Sequence, residues 1–228
     1  MVTTDVTMVL DRSGSMQSMV DEVVEAFNQF VRDQQSPASP SGDGGTLQDQ
    51  PPIPPDSECR LTLLQFADAS EVVLDAVPVA QVPPLTADTY RPHGRTALLD
   101  AIGDAIAAAR GRVAAAAEGG DAPMRVVIAI LTDGQENASR RYRLAQVFQL
   151  ITEARAAGWT VLFLAANQDA IHEGGRLGVD AKYRARLKGE KDSYKFAMEQ
   201  MSSTVRSVRS TGVAPDLSSE TEEDEQVH

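Results

Sequence analysis

The segment RVVIAIL at Arg125 to Leu131 constrains this chain more than any other, because six consecutive apolar residues follow Arg125 with no polar side chain among them. A strand of that kind belongs in the interior of a parallel sheet that is covered on both faces. The segments around it alternate accordingly. Asp5 to Leu10 (DVTMVL) reads as a buried strand that stops at the turn-forming DRSGS. From Ser18 to Gln34, the residues Met19, Val23, Val24, Phe27, Phe30 and Val31 recur at helical spacing and predict a helix with one buried face. Arg60 to Phe66 and Ser70 to Val77 read as strands joined by a short turn, forming an antiparallel hairpin at the sheet edge. Thr96 to Arg110 predicts an alanine-rich helix, with Leu99, Ile102, Ile106 and Ala109 on one face and Thr96 as its cap. A helix over about 142–157, a strand from Thr160 to Ala165, a short helix near 170–177, a short strand near 182–184 and a last helix over about 192–210 complete the series. The expected fold class is α/β: an open, doubly wound, Rossmann-like sheet, mostly parallel with one antiparallel edge strand and helices on both faces.

Two stretches fall outside that pattern. Residues 36–58 hold six of the twelve prolines together with Gly42, Gly44 and Gly45, too little apolar surface to offset the entropy of ordering. They read as a flexible insertion within a single domain over 1–212, placed to shape or cover a partner surface. Residues 213–228 read as a disordered, solubilising acidic tail. From Asp216 onward the tail carries six acids and no Lys or Arg, half of the formal net charge of −12.

That charge argues against nucleic-acid binding, which requires clustered Lys and Arg, and offers nothing to an anionic membrane surface. Cys59 is the only cysteine, so a disulfide framework and a Cys-ligated metal are excluded and a reducing, cytoplasmic setting is expected. Neither an apolar run long enough to span a membrane nor a basic leader ahead of an apolar stretch is present in this sequence. Met16, Met19, Met198 and Met201 are expected as core filler. The three histidines are scattered, with no ligand spacing.

Three polar clusters fall where strands end and helices begin, the rim on which open α/β sheets bind ligands. The first is Asp11, Ser13 and Ser15 in DRSGS, the second Thr96 after the turn-prone RPHGR, and the third Asp133 in LTDGQEN. Taken alone, Asp11, Ser13 and Ser15 also suit an ordinary helix cap and turn. Together the clusters supply five hard oxygen ligands from three loops. Hard oxygens suit Mg²⁺ or Mn²⁺, and with only two anionic groups among them a coordination position stays open for an outside carboxylate. Glu136 and Asn137 read as caps of the helix that follows them.

These segments resemble the von Willebrand factor A domain and its metal-ion-dependent adhesion site. The family pattern is D-x-S-x-S, then a threonine in a G-x-T turn before a helix, then an aspartate in T-D-G or S-D-G. Here it reads Asp11-Arg12-Ser13-Gly14-Ser15, Gly94-Arg95-Thr96 and Thr132-Asp133-Gly134, in family order over roughly residues 4–210. The resemblance implies an intact site: the two serines and the threonine coordinate the ion, the aspartates act directly or through water, and a protein partner's Asp or Glu completes the shell. The segment LAANQDAI at 164–171 is similar to a stretch in intracellular bacterial and phage-like members. Its Asn167 and Asp169 read as turn and cap residues on the same rim, with contact to the metal site left open.

The implied function is a non-enzymatic, metal-dependent protein-binding module. An alternative within the family is an accessory subunit beside an AAA+ ATPase, since the chain has no G-x-x-x-x-G-K-[ST] of its own. An aspartyl phosphotransferase would want a second carboxylate where Ser13 stands, and Ser15 lies in no G-x-S-x-G elbow. Neither the partner's identity nor the oligomeric state is encoded in these patterns.

Overall fold

The computed structural model describes residues 2–36, 52–165, 168–186 and 193–217. Six strands form one sheet: β1 (Val2–Asp11), β2 (Ser57–Phe66), β3 (Ser70–Pro78), β4 (Arg125–Thr132), β5 (Thr160–Ala165) and β6 (Arg184–Arg186), in the spatial order β3-β2-β1-β4-β5-β6. Every adjacent pair is parallel except β2 with β3, the hairpin at the edge. Five helices flank it: α1 (Val20–Gln35), α2 (Leu98–Glu118), α3 (Leu144–Ala156), α4 (Gln168–Arg176) and α5 (Ser193–Thr211). This is the expected doubly wound α/β fold.

The side-chain alternation of the strands divides the core in two. Val6, Met8 and Leu10 of β1, with Val127, Ala129 and Leu131 of β4, pack against Phe27 and Phe30 of α1 and Tyr194, Met198 and Met201 of α5. Val9 of β1 and Val126, Ile128 and Ile130 of β4 pack instead against Leu98, Ile102 and Ile106 of α2 and Val147 and Ile151 of α3. β4 is therefore buried on both faces, as its unbroken apolar run requires. Among the described residues no helix is long and apolar enough to cross a membrane.

The chain leaves β1 toward β2 on one side, and the later half of the molecule extends from β4 on the other. The topological switch point lies between β1 and β4, and the crevice beyond their C-terminal ends is where this architecture receives ligands.

Two expected boundaries shift. β2 begins at Ser57, inside the stretch read as insertion, because parallel pairing of Ser57 with Val2 extends both strands together. Residues 37–51 lie outside the described residues, but the chain on either side of them is tied to α5. Arg206 Nη1 donates to Ser36 O at 2.9 Å, Ser210 Oγ to Pro52 O at 2.9 Å, and Arg209 Nη2 to Ser57 O at 3.4 Å. Val2, the partner of Ser57, stands nine residues before Asp11, about 30 Å along an extended strand. The two roots of the insertion, Ser36 and Pro52, thus stand at the opposite rim of the sheet. The second shift is at the C-terminus, where Leu217 is only 4% exposed and donates its N–H to Lys182 O at 2.8 Å. Packing continues past residue 212, and the strongly acidic part of the tail, 218–228, lies outside the described residues.

Candidate metal centre

Asp11 ends β1 and Thr132 ends β4, and the register pairs Leu10 with Leu131 immediately before them. The Asp11 carboxylate is fully buried at this junction. Its Oδ1 accepts the Ser13 N–H at 2.7 Å and its Oδ2 accepts the Thr132 hydroxyl at 2.6 Å. Ser13 Oγ lies 3.0 Å from Ser15 Oγ, which donates to Asp133 Oδ1 at 2.7 Å. Hydrogen bonds thus link the first cluster to the third directly.

Thr96 enters from the segment that precedes α2 and is 4% exposed. Gly134 lies against it: a Cβ on that glycine would stand 3.1 Å from Thr96 Oγ1 and 3.8 Å from Asp11 Oδ2. A side chain at residue 134 would press on Thr96 and require it to give by a few tenths of an ångström. The Thr96 hydroxyl makes no hydrogen bond among the described residues. All five residues expected at the site, Asp11, Ser13, Ser15, Thr96 and Asp133, therefore come together. The structure adds Thr132, which grips Asp11 from the neighbouring strand. Its signal was the strand pairing, since a residue that ends β4 beside the end of β1 can face the same crevice.

The loops are stitched to one another by hydrogen bonds, besides the apolar anchors Met16 and Tyr90 that they place in the core on one face of the sheet. The Tyr90 hydroxyl donates to Asp11 O at 2.6 Å, His93 N to Arg12 O at 2.8 Å, and Gly14 N to Gly94 O at 3.0 Å. Thr96 does not cap α2 as expected. The cap position is Ala97, and the free N–H groups of the first turn go to the third loop: Leu99 N to Glu136 Oε2 at 2.9 Å and Asp100 N to Ser139 Oγ at 3.0 Å. Glu136 and Asn137 accordingly do not cap α3, which begins at Leu144 with Gln146 Oε1 accepting the Arg143 N–H at 2.9 Å. Glu136 closes the preceding helix, and Asn137 Oδ1 accepts the Thr96 N–H at 2.9 Å. A helix terminus needs acceptors for its first N–H groups from any direction, and here a distant loop supplies them. Asn167 lies outside the described residues, and Asp169 falls within α4.

Burial raises the Asp11 carboxyl to about 6, against the opposing pull of hydrogen bonds from Thr132 and Ser13, and the nearby Asp133 pushes in the same direction as burial. Asp133 is raised as well, again chiefly by burial. Burial, with the Asp11 charge beside it, also drives the Tyr90 hydroxyl upward, so it stays a donor to Asp11 O. Two carboxylates at one crevice, each disfavoured as an anion, form a place where a divalent cation gains energy. Among the described residues no three His, Cys, Asp or Glu side chains cluster. The donor set is two carboxylates and three hydroxyls, all oxygen, which fits a hard cation that keeps some of its water.

The family model of the von Willebrand factor type A domain matches residues 5–204. No protein of curated function matches the sequence. Among solved structures, proximal thread matrix protein 1 from the mussel byssus, in a form with a zinc-occupied MIDAS motif, aligns at TM-score 0.58 and 16% identity, covering 90% of this chain and 48% of the other. The pilus adhesin SpaC from Lactobacillus rhamnosus GG aligns at TM-score 0.58 and 12% identity, over 90% of this chain and 30% of that one. The ArnB paralog VWA2 from Sulfolobus acidocaldarius aligns at TM-score 0.51 and 13% identity, over 88% and 45%. At such identities the likeness is one of fold, and this chain spans less than half the length of each of these neighbours.

Proposed function

This chain belongs to the von Willebrand factor type A domain family, and from that premise we propose that it is a non-enzymatic, metal-dependent protein-binding module of the cytoplasm. Asp11, Ser13, Ser15, Thr96 and Asp133 would hold one Mg²⁺ or Mn²⁺, and an Asp or Glu carboxylate of a protein partner would complete the shell. The bound cation supplies Lewis acidity toward that carboxylate. The observation that carries the reading is the meeting of the five oxygen-bearing side chains, with the Thr96 hydroxyl, unbonded among the described residues, close to Gly134 and Asp11, and with burial opposing the ionisation of both Asp11 and Asp133. The Ser15 hydroxyl donates to Asp133 rather than to a histidine, which supports binding over nucleophilic catalysis. A formal net charge of −12 supports a protein partner over a nucleic acid.

Titration calorimetry with Mn²⁺ on wild type and Asp11→Asn tests the site. Binding heat is expected from the wild type alone, and equal heats from the two proteins would remove the metal from the function. Capture of the same protein with and without chelator then tests the carboxylate arm, because a partner held equally in both does not use the ion.

A further inference from the structure

We infer that Asn137 is a positioning residue for the Thr96 hydroxyl, and that it sets the distance between the second and third ligand loops; this rests on the metal-binding reading above. Asn137 grips the main chain of one residue from both sides. Its Oδ1 accepts the Thr96 N–H at 2.9 Å and its own N–H donates to Thr96 O at 3.0 Å. A backbone N–H can only donate, so the orientation of the amide is fixed: Oδ1 faces Thr96.

The turn that bears Asp133 therefore holds Thr96 at three points. Gly134 lies against the Thr96 side chain, Asn137 takes both main-chain groups, and Glu136 receives the Leu99 N–H one turn further along α2. Asp133 and Thr96 cannot move apart without breaking that grip. Asn137 itself is exposed, so packing does not hold its side chain and its contribution is the hydrogen bond alone. A residue of this kind adds little to the stability of the fold, and its loss falls on the geometry of what it holds. Supporting hydrogen bonds around a metal site are worth roughly 10- to 100-fold in affinity.

The test is Mn²⁺ calorimetry on the full chain for wild type, Asn137→Ala, Asn137→Asp, Thr96→Ala and the Asn137→Ala/Thr96→Ala double variant. Thermal midpoints in chelator and water-proton relaxation of the Mn²⁺ complexes accompany it. Asn137→Ala should weaken Mn²⁺ about tenfold, with the chelator midpoint unchanged and relaxivity raised because water takes the place of the Thr96 hydroxyl. Asn137→Asp keeps the acceptor and should restore affinity to within about threefold, and in the Thr96→Ala background Asn137→Ala should add less than about twofold. Affinity of Asn137→Ala within twofold of a wild type that binds Mn²⁺ overturns this inference alone. So does a full tenfold loss that persists in the Thr96→Ala background. Should Asn137→Ala not fold, Asn137→Gln makes the same comparison, since it keeps the amide and moves its oxygen out of register by one methylene. A wild type that shows no Mn²⁺ heat overturns the metal reading and this inference with it.

Discussion

Neutralising Asp11 without changing its shape should make the cation-free protein more stable while abolishing the proposed metal site. Burial raises the Asp11 carboxyl from 3.8 to about 6, and at about 1.4 kcal/mol per pKa unit its ionisation costs the cation-free fold about 3 kcal/mol at neutral pH. A folded-state value raised above the unfolded one means that stability is full below pH 3.8, falls through the window up to about 6 and stays low above it. Asn carries no charge across that window. It also fits the site. Asn Oδ1 can go on accepting the Ser13 N–H, and the Thr132 hydroxyl can turn to accept from Asn Nδ2 while donating to Gly134 O, 3.3 Å away. Denaturation in chelator at pH 7.5 should therefore find Asp11→Asn more stable than wild type by up to about 3 kcal/mol, roughly 6–12 °C in midpoint for a chain of this size. The gap should shrink below about 1 kcal/mol by pH 4, where wild-type Asp11 holds its proton. Mn²⁺ should close the gap, adding about 2.7 kcal/mol to wild type at a hundredfold excess over Kd, and reverse the order at a thousandfold excess, where it adds about 4.1 kcal/mol, with nothing added to the variant. An Asp11→Asn protein that is less stable than wild type in chelator at pH 7.5, or a gap that does not change with pH, would refute the reasoning.

Two further outcomes follow from where the chain is tied down. Replacing residues 38–50 with a short Gly/Ser linker should leave Mn²⁺ affinity within twofold of wild type by calorimetry, because Ser36, Pro52 and Ser57 are anchored to α5 at the rim away from the site; a larger change would show that the insertion reaches it. Truncation after Gly212 should cost about 2 kcal/mol in urea denaturation relative to truncation after Ser218, since only the longer chain buries Leu217, and equal midpoints would show that Leu217 contributes nothing.

Local pattern carried the order of elements, and pairing between distant segments decided their ends. The apolar run at Arg125–Leu131 and the alternation around it were enough for a doubly wound sheet with an antiparallel edge. Ser57 and Glu58 look like loop residues in isolation, yet they are strand because β2 runs on in parallel register beside Val2 and Thr3 of β1. α2 runs on to Glu118, past the Arg110 at which its amphipathic pattern fades. The continuation GRVAAAAE needs no buried face there, since the helix propensity of alanine sustains it. Leu217 was hidden for the opposite reason, as a single apolar residue in a polar stretch whose burial depends on Lys182 being at hand.

The site divides in the same way. Asp11, Ser13, Ser15, Thr96 and Asp133, the residues of the proposed site, are legible because the proposed ligand chemistry restricts residue type, and because strand ends restrict position. The residues that hold them are not, since a main-chain hydrogen bond leaves no mark on the identity of its partners. His93 N to Arg12 O, Gly14 N to Gly94 O, Ala97 N to Ala67 O and Asn137 N to Thr96 O are all of this kind. Side chains that join them, Tyr90 on Asp11 O and Glu136 on Leu99 N, act across 79 and 37 residues of sequence. Beyond the anchors Met16 and Tyr90 these loops have little apolar surface to bury, so much of their rigidity comes from such bonds. Bonds already formed before an ion arrives spare it the cost of ordering three loops at once. Ser15 is the exposed exception. Its hydroxyl bridges Ser13 and Asp133, so in the proposed site it would have to exchange that bond for the cation, and of the five candidate ligands it is the one whose geometry would have most to change on binding.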